Sequence, residues 1–245
     1  MKYYEMHEEA YKDLNKNNYV SWDRALHVED LYTHEINLYL EKTIPKFFNT
    51  TKNLKSLDLG CGTGTVSLFL AKKGFESAGF DVSETAISMA KDNADKLGVL
   101  ANFEVLDINE IKVSRKFDLI VDSSFLHCIV YENERRNILK SIKEQLNSEG
   151  YLFIHTMIQS VDMSEMLMAP HLILENEVLW STGPDRWEMN WSEVNGKKVF
   201  PHRVIKTKKN LERELLVNGF EIIDSDVLLN PKQPSVFIAW LKCKN

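Results

Sequence analysis

The sequence predicts an α/β fold built on a doubly wound, mostly parallel sheet. Three observations support this. Short apolar runs alternate with helical patterns from about residue 54 to residue 157, the order that yields βαβ units and a parallel sheet. The first run, Leu57-Asp58-Leu59, delivers Gly60, Gly62 and Gly64 into the start of a helix. Three later runs stop at Asp81, Asp107 and Asp122, where strand carboxyl ends of such sheets meet the ligand crevice.

The first 50 or so residues precede this alternation and are expected to form helices capping the crevice. Residues 30–40 have helical periodicity, with Pro45 near the end. Six of the eight tyrosines precede position 40, so this is not a disordered tail. Tyr19 and Trp22, beside Asp23 and Arg24, are candidates for a lid over a small-molecule pocket. Anchoring a helical arm on the sheet is the alternative. In the glycine run the missing Cβ lets the backbone turn sharply and touch a ligand. Residues 65–73 follow as a helix closed by Gly74.

A second strand over residues 75–80 ends at Asp81, 21 residues beyond Gly60, the spacing that sets an acid on a ribose hydroxyl. Ser83 reads as an N-cap, with Ile87, Ala90, Ala94 and Leu97 on one apolar face and Gly98 as the stop. Residues 102–106 and 117–121 are the third and fourth strands. A helix over 135–147 turns Ile138, Leu139, Ile142 and Leu146 inward, and Gly150 leads into a fifth strand at 151–157. Residues 158–203 break the alternation and read as an irregular functional stretch. Trp180, Trp187 and Trp191 argue for order there, and Met163, Met166 and Met168 for an adaptable apolar wall. A helix over 207–218 and strands at 220–228 and 235–241, joined by a hairpin at 230–234, close the chain.

The ligand is narrowed by one position. A dinucleotide fingerprint counted from Gly60 places its third glycine at position 65, which is Thr65; here it falls at Gly64. With Asp58 two residues ahead of Gly60, the stretch resembles the first motif of class I S-adenosylmethionine-dependent methyltransferases. Residues from about 54 to 157 resemble that family's cofactor-binding half. The resemblance implies a seven-stranded Rossmann-like sheet with an antiparallel, inserted last strand. It implies Asp58 and the loop of Gly60, Cys61, Gly62 and Gly64 near the methionine end of S-adenosyl-L-methionine. It further implies Asp81 on the ribose, Val82 against the adenine, and Asp107 with Ile108 at the adenine's amino edge. Residues 122–129 then line the passage to the acceptor, with Asp122 and Ser123 on the cofactor side. The Leu126-His127-Cys128-Ile129 pattern loosely resembles the thiopurine methyltransferase-like, small-molecule branch. On this reading one methyltransferase domain comprises a helical cap (1–50), a cofactor-binding half (54–157), a substrate-side insertion (158–205) and a closing helix and hairpin (206–245).

Methyl transfer from a sulfonium, which leaves S-adenosyl-L-homocysteine, needs in-line alignment and often removal of one proton. His127 is the candidate base, its ordinary pKa near 6.5 suiting neutral pH. His155 sits mid-strand and is expected to pack in the sheet. His202 and Arg203 end the insertion and either reach the crevice mouth or lie on the surface. With Tyr19, Trp22 and Trp187 they form the candidate substrate set. No His, Cys or carboxylate spacing suits a metal. The alternatives are a nicotinamide-dependent oxidoreductase, in which Asp81 would also serve a ribose, and a noncatalytic nucleoside-binding regulator.

Bulk properties restrict the partners. At 245 residues the chain can bury one large core. A net charge of −6 and the lack of a basic stripe disfavour nucleic acid; Lys206, Lys208 and Lys209 read as an exposed first helical turn. No run approaches the roughly 18 apolar residues of a membrane span, and no secretory signal is evident. Three cysteines without paired spacing suit a reducing cytoplasm, with Cys128 expected to be a buried structural thiol. Between Val161 and Glu193 seven acids face one base, which leads to the expectation of a neutral or cationic small-molecule acceptor.

Overall fold

The computed structural model describes residues 6–107, 115–183 and 191–244. Its strands are β1 (Lys55–Leu59), β2 (Glu76–Asp81), β3 (Asn102–Val105), β4 (Phe117–Ser123), β5 (Leu146–Ile158), β6 (Leu172–Glu175), β7 (Val178–Ser181), β8 (Ser192–Val194), β9 (Lys197–Val204), β10 (Phe220–Leu228) and β11 (Ser235–Cys243). Seven of them form one sheet in the order β10-β11-β5-β4-β1-β2-β3. β1 pairs in parallel with β2 and with β4, β2 in parallel with β3, and β10 with β11 antiparallel. This is the predicted doubly wound, mostly parallel sheet. Chain order reverses at β1, whose neighbours are β2 and β4, and such a switch point is where open α/β sheets bind ligands.

The chain divides into two compact units, one of His7–Ser123 with Glu144–Leu152, the other chiefly of Ser124–Lys143 and Phe153–Asn245. In the first, α1 (Met6–Lys16), α2 (Glu35–Phe47), α3 (Thr65–Lys72) and α4 (Glu84–Leu97) accompany β1 to β4. α4 has the predicted caps: Ser83 Oγ accepts from Ala86 N at 2.9 Å, and Gly98 leaves the helix at φ 63°. Its buried side chains Ile87, Ala90 and Ala94 join Cys61, Leu68 and Phe103 in one cluster. The helix expected over 30–40 is corrected. Val28–Thr33 is a 3-10 turn, His34 is extended (ψ 142°) and caps α2 through its ring nitrogen, and α2 runs past Pro45 to Phe47.

The second unit contains most of α5 (Glu132–Gln145), with α6 (Ser164–Leu167) and α7 (Lys208–Val217). α5 stops before Leu146, which is buried as the first residue of β5. The expectation of irregular structure over 158–203 is overturned: β6, β7, β9 and β8 form a second, antiparallel sheet in that order. Its hairpin turns use Asn176-Glu177 (φ 52° and 65°) and Asn195-Gly196 (φ 52° and 72°), the left-handed pairs that match strand twist. Met163 and Met166 pack with Leu179 and Ile205 on this sheet, whereas Met168 is exposed. Trp191 meets Phe200 edge-on at 5.8 Å.

Candidate active site

β1 delivers the chain into Gly60, Cys61, Gly62, Thr63 and Gly64, then into α3. Gly62 and Gly64 sit at φ 52° and 84°, where side-chain-bearing residues are strained. Space excludes larger residues as well: a Cβ on Gly62 would strike the Tyr11 hydroxyl, and one on Gly64 would lie 2.9 Å from the Phe103 ring. The loop is laced to its neighbours. Cys61 N donates to Phe80 O at 2.9 Å, and Gly64 N to Cys61 O at 2.9 Å. Beneath it a Cβ on Gly79 would come within 2.8 Å of Cys61 Sγ, so β2 needs a glycine there for the loop to seat.

Two buried acids flank this loop. Asp58, 1% exposed, accepts from Ser67 N (3.1 Å) and Ser67 Oγ (2.9 Å) on Oδ2, while Oδ1 has no hydrogen-bond partner among the described residues. Burial, reinforced by the charges of Asp81 and Asp122, pushes its pKa up to about 7. Asp81 closes β2 with one oxygen accepting from Gly62 N (2.9 Å) and the other from Ser83 N (2.9 Å). Burial raises its pKa against those hydrogen bonds. Burial also raises the Cys61 thiol well above its ordinary value. Val82, Asp107 and Ser123 are half-buried and Asp122 is buried at the end of β4. Ile108 lies outside the described residues.

The N-terminal segment packs on this loop. Glu8 Oε2 accepts from Ser83 Oγ (2.6 Å) and Thr85 N (3.2 Å), and Oε1 from Thr85 Oγ1 (2.5 Å). Burial opposes ionisation, yet these bonds and Lys12 hold the Glu8 carboxyl below its ordinary range. Asn93 Nδ2 donates to Val20 O (2.9 Å) and Thr63 O (3.1 Å), binding the segment to the loop. Trp22 is 43% exposed and meets Tyr11 edge-on at 5.3 Å, and Tyr19 packs on the Tyr11–Met89 cluster.

The second unit contains the other candidates. His127 lies in the 3-10 turn Leu126–Cys128 and is 2% exposed. Its Nε2 is 2.7 Å from Arg203 Nη1, and its Nδ1 is 3.1 Å from Thr156 Oγ1 and 3.3 Å from Met157 N. A guanidinium only donates, so the shortest contact uses the lone pair on Nε2, while the Met157 amide donates toward Nδ1. His127 therefore has no basic nitrogen to spare in this arrangement. Arg203 also donates through Nη1 to Cys128 Sγ (3.5 Å) and through Nε to His202 Nε2 (3.3 Å). Cys128 is half-exposed, not buried. His155 packs in β5 with Nδ1 3.2 Å from Ser124 Oγ. Trp187 lies outside the described residues.

A family model described as "Methyltransferase domain" matches residues 50–216. The chain belongs to that family. Among relatives of this methyltransferase domain, the probable S-adenosyl-L-methionine-dependent methyltransferase TehB of Haemophilus influenzae is 26% identical over 173 residues, 64% of this chain and 60% of the relative. The ubiquinone biosynthesis O-methyltransferase of Pelagibacter ubique is 29% identical over 125 residues, 49% of this chain and 51% of the relative. Further relatives are named for tRNA and for ribosomal protein L11. The matches span less than two thirds of these relatives' own lengths. In fold, a methyltransferase from Methanosarcina mazei superposes with a TM-score of 0.65 at 22% identity, covering 82% of this chain and 96% of that one.

Several residues of the methyltransferase domain escaped sequence reasoning. Arg135, 2% exposed, forms a bidentate pair with Glu214 (2.6 and 2.7 Å) and donates to the carbonyls of Leu126 and Ile129 (3.0 Å to the latter), fixing the turn that holds His127. Lys206 is not an exposed lysine but lies 3.9 Å from the same Glu214. Tyr11, Glu8 and Thr156 were missed too. Nothing local marks them, because each acts on residues far away in the chain. Among the described residues no cluster is placed to hold a metal, and no helix is long and apolar enough to cross a membrane.

Proposed function

We propose that the protein is an S-adenosyl-L-methionine-dependent methyltransferase acting on a small-molecule acceptor. The observation that supports it most is the left-handed loop at Gly62 and Gly64, bordered by Asp58 and Asp81. These residues fit the donor molecule. The loop presents bare backbone, the Asp58 Oδ1 atom is buried without a partner among the described residues, and the Asp81 carboxylate, which accepts from Gly62 N and Ser83 N, has lone-pair capacity left for a hydroxyl. S-adenosyl-L-methionine supplies an electrophilic methyl: its C–S bond breaks with the electron pair going to sulfur as the acceptor lone pair forms the new bond, leaving S-adenosyl-L-homocysteine. Asp58, Gly60, Cys61, Gly62 and Gly64 would hold the methionine end. Asp81 would hold the ribose, Val82, Asp107 and Ile108 the adenine, and Asp122 with Ser123 the transfer side.

The substrate residues in this reading are Tyr19, Trp22, Trp187, His202 and Arg203. Alignment is the main device and can lower the barrier by roughly 7–11 kcal/mol. His127, engaged through Nε2, positions rather than abstracts a proton. A small acceptor is favoured over nucleic acid by the net charge of −6, and the three free cysteines suit a reducing cytoplasm. Calorimetry with S-adenosyl-L-methionine, S-adenosyl-L-homocysteine and NAD tests the donor, and homocysteinyl product release across amines, thiols and hydroxyl compounds tests transfer. Binding of both sulfur nucleosides without NAD is expected. Tighter NAD binding overturns the reading, and nucleoside binding without transfer favours the regulatory alternative.

A further inference from the structure

Arg203 stands out in its unit for what it does not touch. Arg135 and Lys206 of the same unit both engage Glu214. Arg203, half-buried on β9, meets no carboxylate among the described residues. Its Nε–H goes to His202 Nε2, and Nη1 goes to His127 Nε2 and Cys128 Sγ. None of these acceptors is a carboxylate. The Cys128 thiol donates onward to Ser124 O at 3.6 Å, and His127 accepts from the guanidinium on Nε2. Nη2 is left to donate elsewhere. A partly desolvated cation with no carboxylate partner is costly unless an anion completes it.

The backbone is shaped for this arrangement. Adjacent strand residues point to opposite faces, yet His202 and Arg203 touch side chain to side chain. The register between β7 and β9 explains it. Leu179 pairs with Arg203 and Trp180 with Pro201, so His202 is an extra residue in a bulge. Bulges re-aim side chains and recur beside active sites. Here the bulge brings His202 round to support the guanidinium that His127 grips from the turn after β4.

We propose that Arg203 is an anchor for a carboxylate on the methyl acceptor, with His127 and His202 as positioning residues that aim the guanidinium. The inference rests on the methyltransferase reading and names its substrate class. It replaces the neutral or cationic acceptor expected from the acidic stretch 161–193. Of those acids among the described residues, Asp162 accepts from Ser164 N (2.8 Å), Glu177 accepts from Thr207 N (2.9 Å) and Asn210 Nδ2 (2.8 Å), Glu165 and Glu193 are exposed, and Glu175 is half-buried. A carboxylate fits better than a phosphate dianion. One nitrogen with one charge is on offer, and the neighbouring Lys206 is engaged by Glu214.

The test is binding by the full-length protein saturated with S-adenosyl-L-homocysteine, using benzoate, benzamide and inorganic phosphate as probes in an NMR titration. Benzoate is expected to bind at least tenfold more tightly than benzamide, and phosphate no more tightly than benzoate. In R203M the benzoate preference falls to within about twofold while nucleoside affinity is unchanged, and R203K retains part of it. H127Q, which keeps an acceptor, preserves the preference, whereas H127L loses it; a merely space-filling histidine would give the same result in both. Benzoate binding no better than benzamide, a preference that survives R203M, or tighter phosphate binding each overturns the proposal. Failure to bind the nucleoside overturns the methyltransferase reading instead, so the two failures are told apart.

Discussion

Asp58→Asn should invert its effect on stability as pH rises. Asp58 is wholly buried, and its pKa moves from an ordinary 3.8 to about 7. The folded state therefore holds a proton that the unfolded chain releases, so stability is fully present below about pH 4 and is lost as pH climbs to about 7. A rise from 3.8 to about 7 corresponds to about 4 kcal/mol at about 1.4 kcal/mol per tenfold change in proton affinity. Asparagine removes that dependence. Its oxygen can still accept from Ser67 N and Oγ, but its amide then occupies the unpartnered Oδ1 position, a penalty of about 1–3 kcal/mol. The variant is thus expected to be less stable than the parent near pH 4.5 and more stable near pH 8.5. Urea unfolding of both proteins across that range gives the difference, and the difference cancels most of the parallel contribution of Asp81, whose pKa is raised as well. A difference constant to within about 1 kcal/mol would refute the argument. A carboxylate kept where it destabilises the fold at neutral pH is characteristic of a functional position.

Three further outcomes follow from the same geometry. Asp81→Ala should weaken S-adenosyl-L-methionine binding by about 1.5–3 kcal/mol in calorimetry and also lower the melting temperature, because Gly62 N and Ser83 N lose their acceptor; unchanged affinity in a folded variant counts against the ribose role. Gly62→Ala should reduce both nucleoside affinity and stability through its φ of 52° and its collision with Tyr11. Adding Tyr11→Ala relieves the collision and leaves about 1–2 kcal/mol of backbone strain, so full recovery in the double variant would contradict the left-handed loop. Arg135→Met should cost about 3–5 kcal/mol in denaturant titration, since it strands Glu214 with only Lys206 at 3.9 Å, and Glu214→Leu in the same chain should restore most of it.

The parallel strands and the caps of α4 were legible because their determinants are local. Apolar runs ending in acid or glycine set β1 to β4, and Ser83 and Gly98 cap the helix within one turn of where they stand. The second sheet was missed although half its signal was present. Asn195-Gly196 between two short strands is a strong hairpin cue, but β8 has only three residues and carries no clear alternation. The Asn176-Glu177 turn gave no such cue, since glutamate seldom takes φ 65°. Side-chain partners were less legible still. Arg203 and His127 are 76 residues apart, and Glu8 and Ser83 75 apart, so only the folded chain joins them.

The charges sort by what each unit would have to hold. The unit with the glycine loop buries Asp58, Asp81 and Asp122, and their mutual repulsion, added to burial, is what raises the Asp58 pKa. A cationic ligand relieves that repulsion, whereas an anionic one adds to it. S-adenosyl-L-methionine brings a sulfonium and an ammonium against one carboxylate, and its product lacks the sulfonium, so the same acids should favour donor over product. The other unit holds Arg203 against two imidazoles and a thiol, which rewards an anion and penalises a second cation. Each unit would thus select by repulsion of the wrong ligand as much as by attraction of the right one.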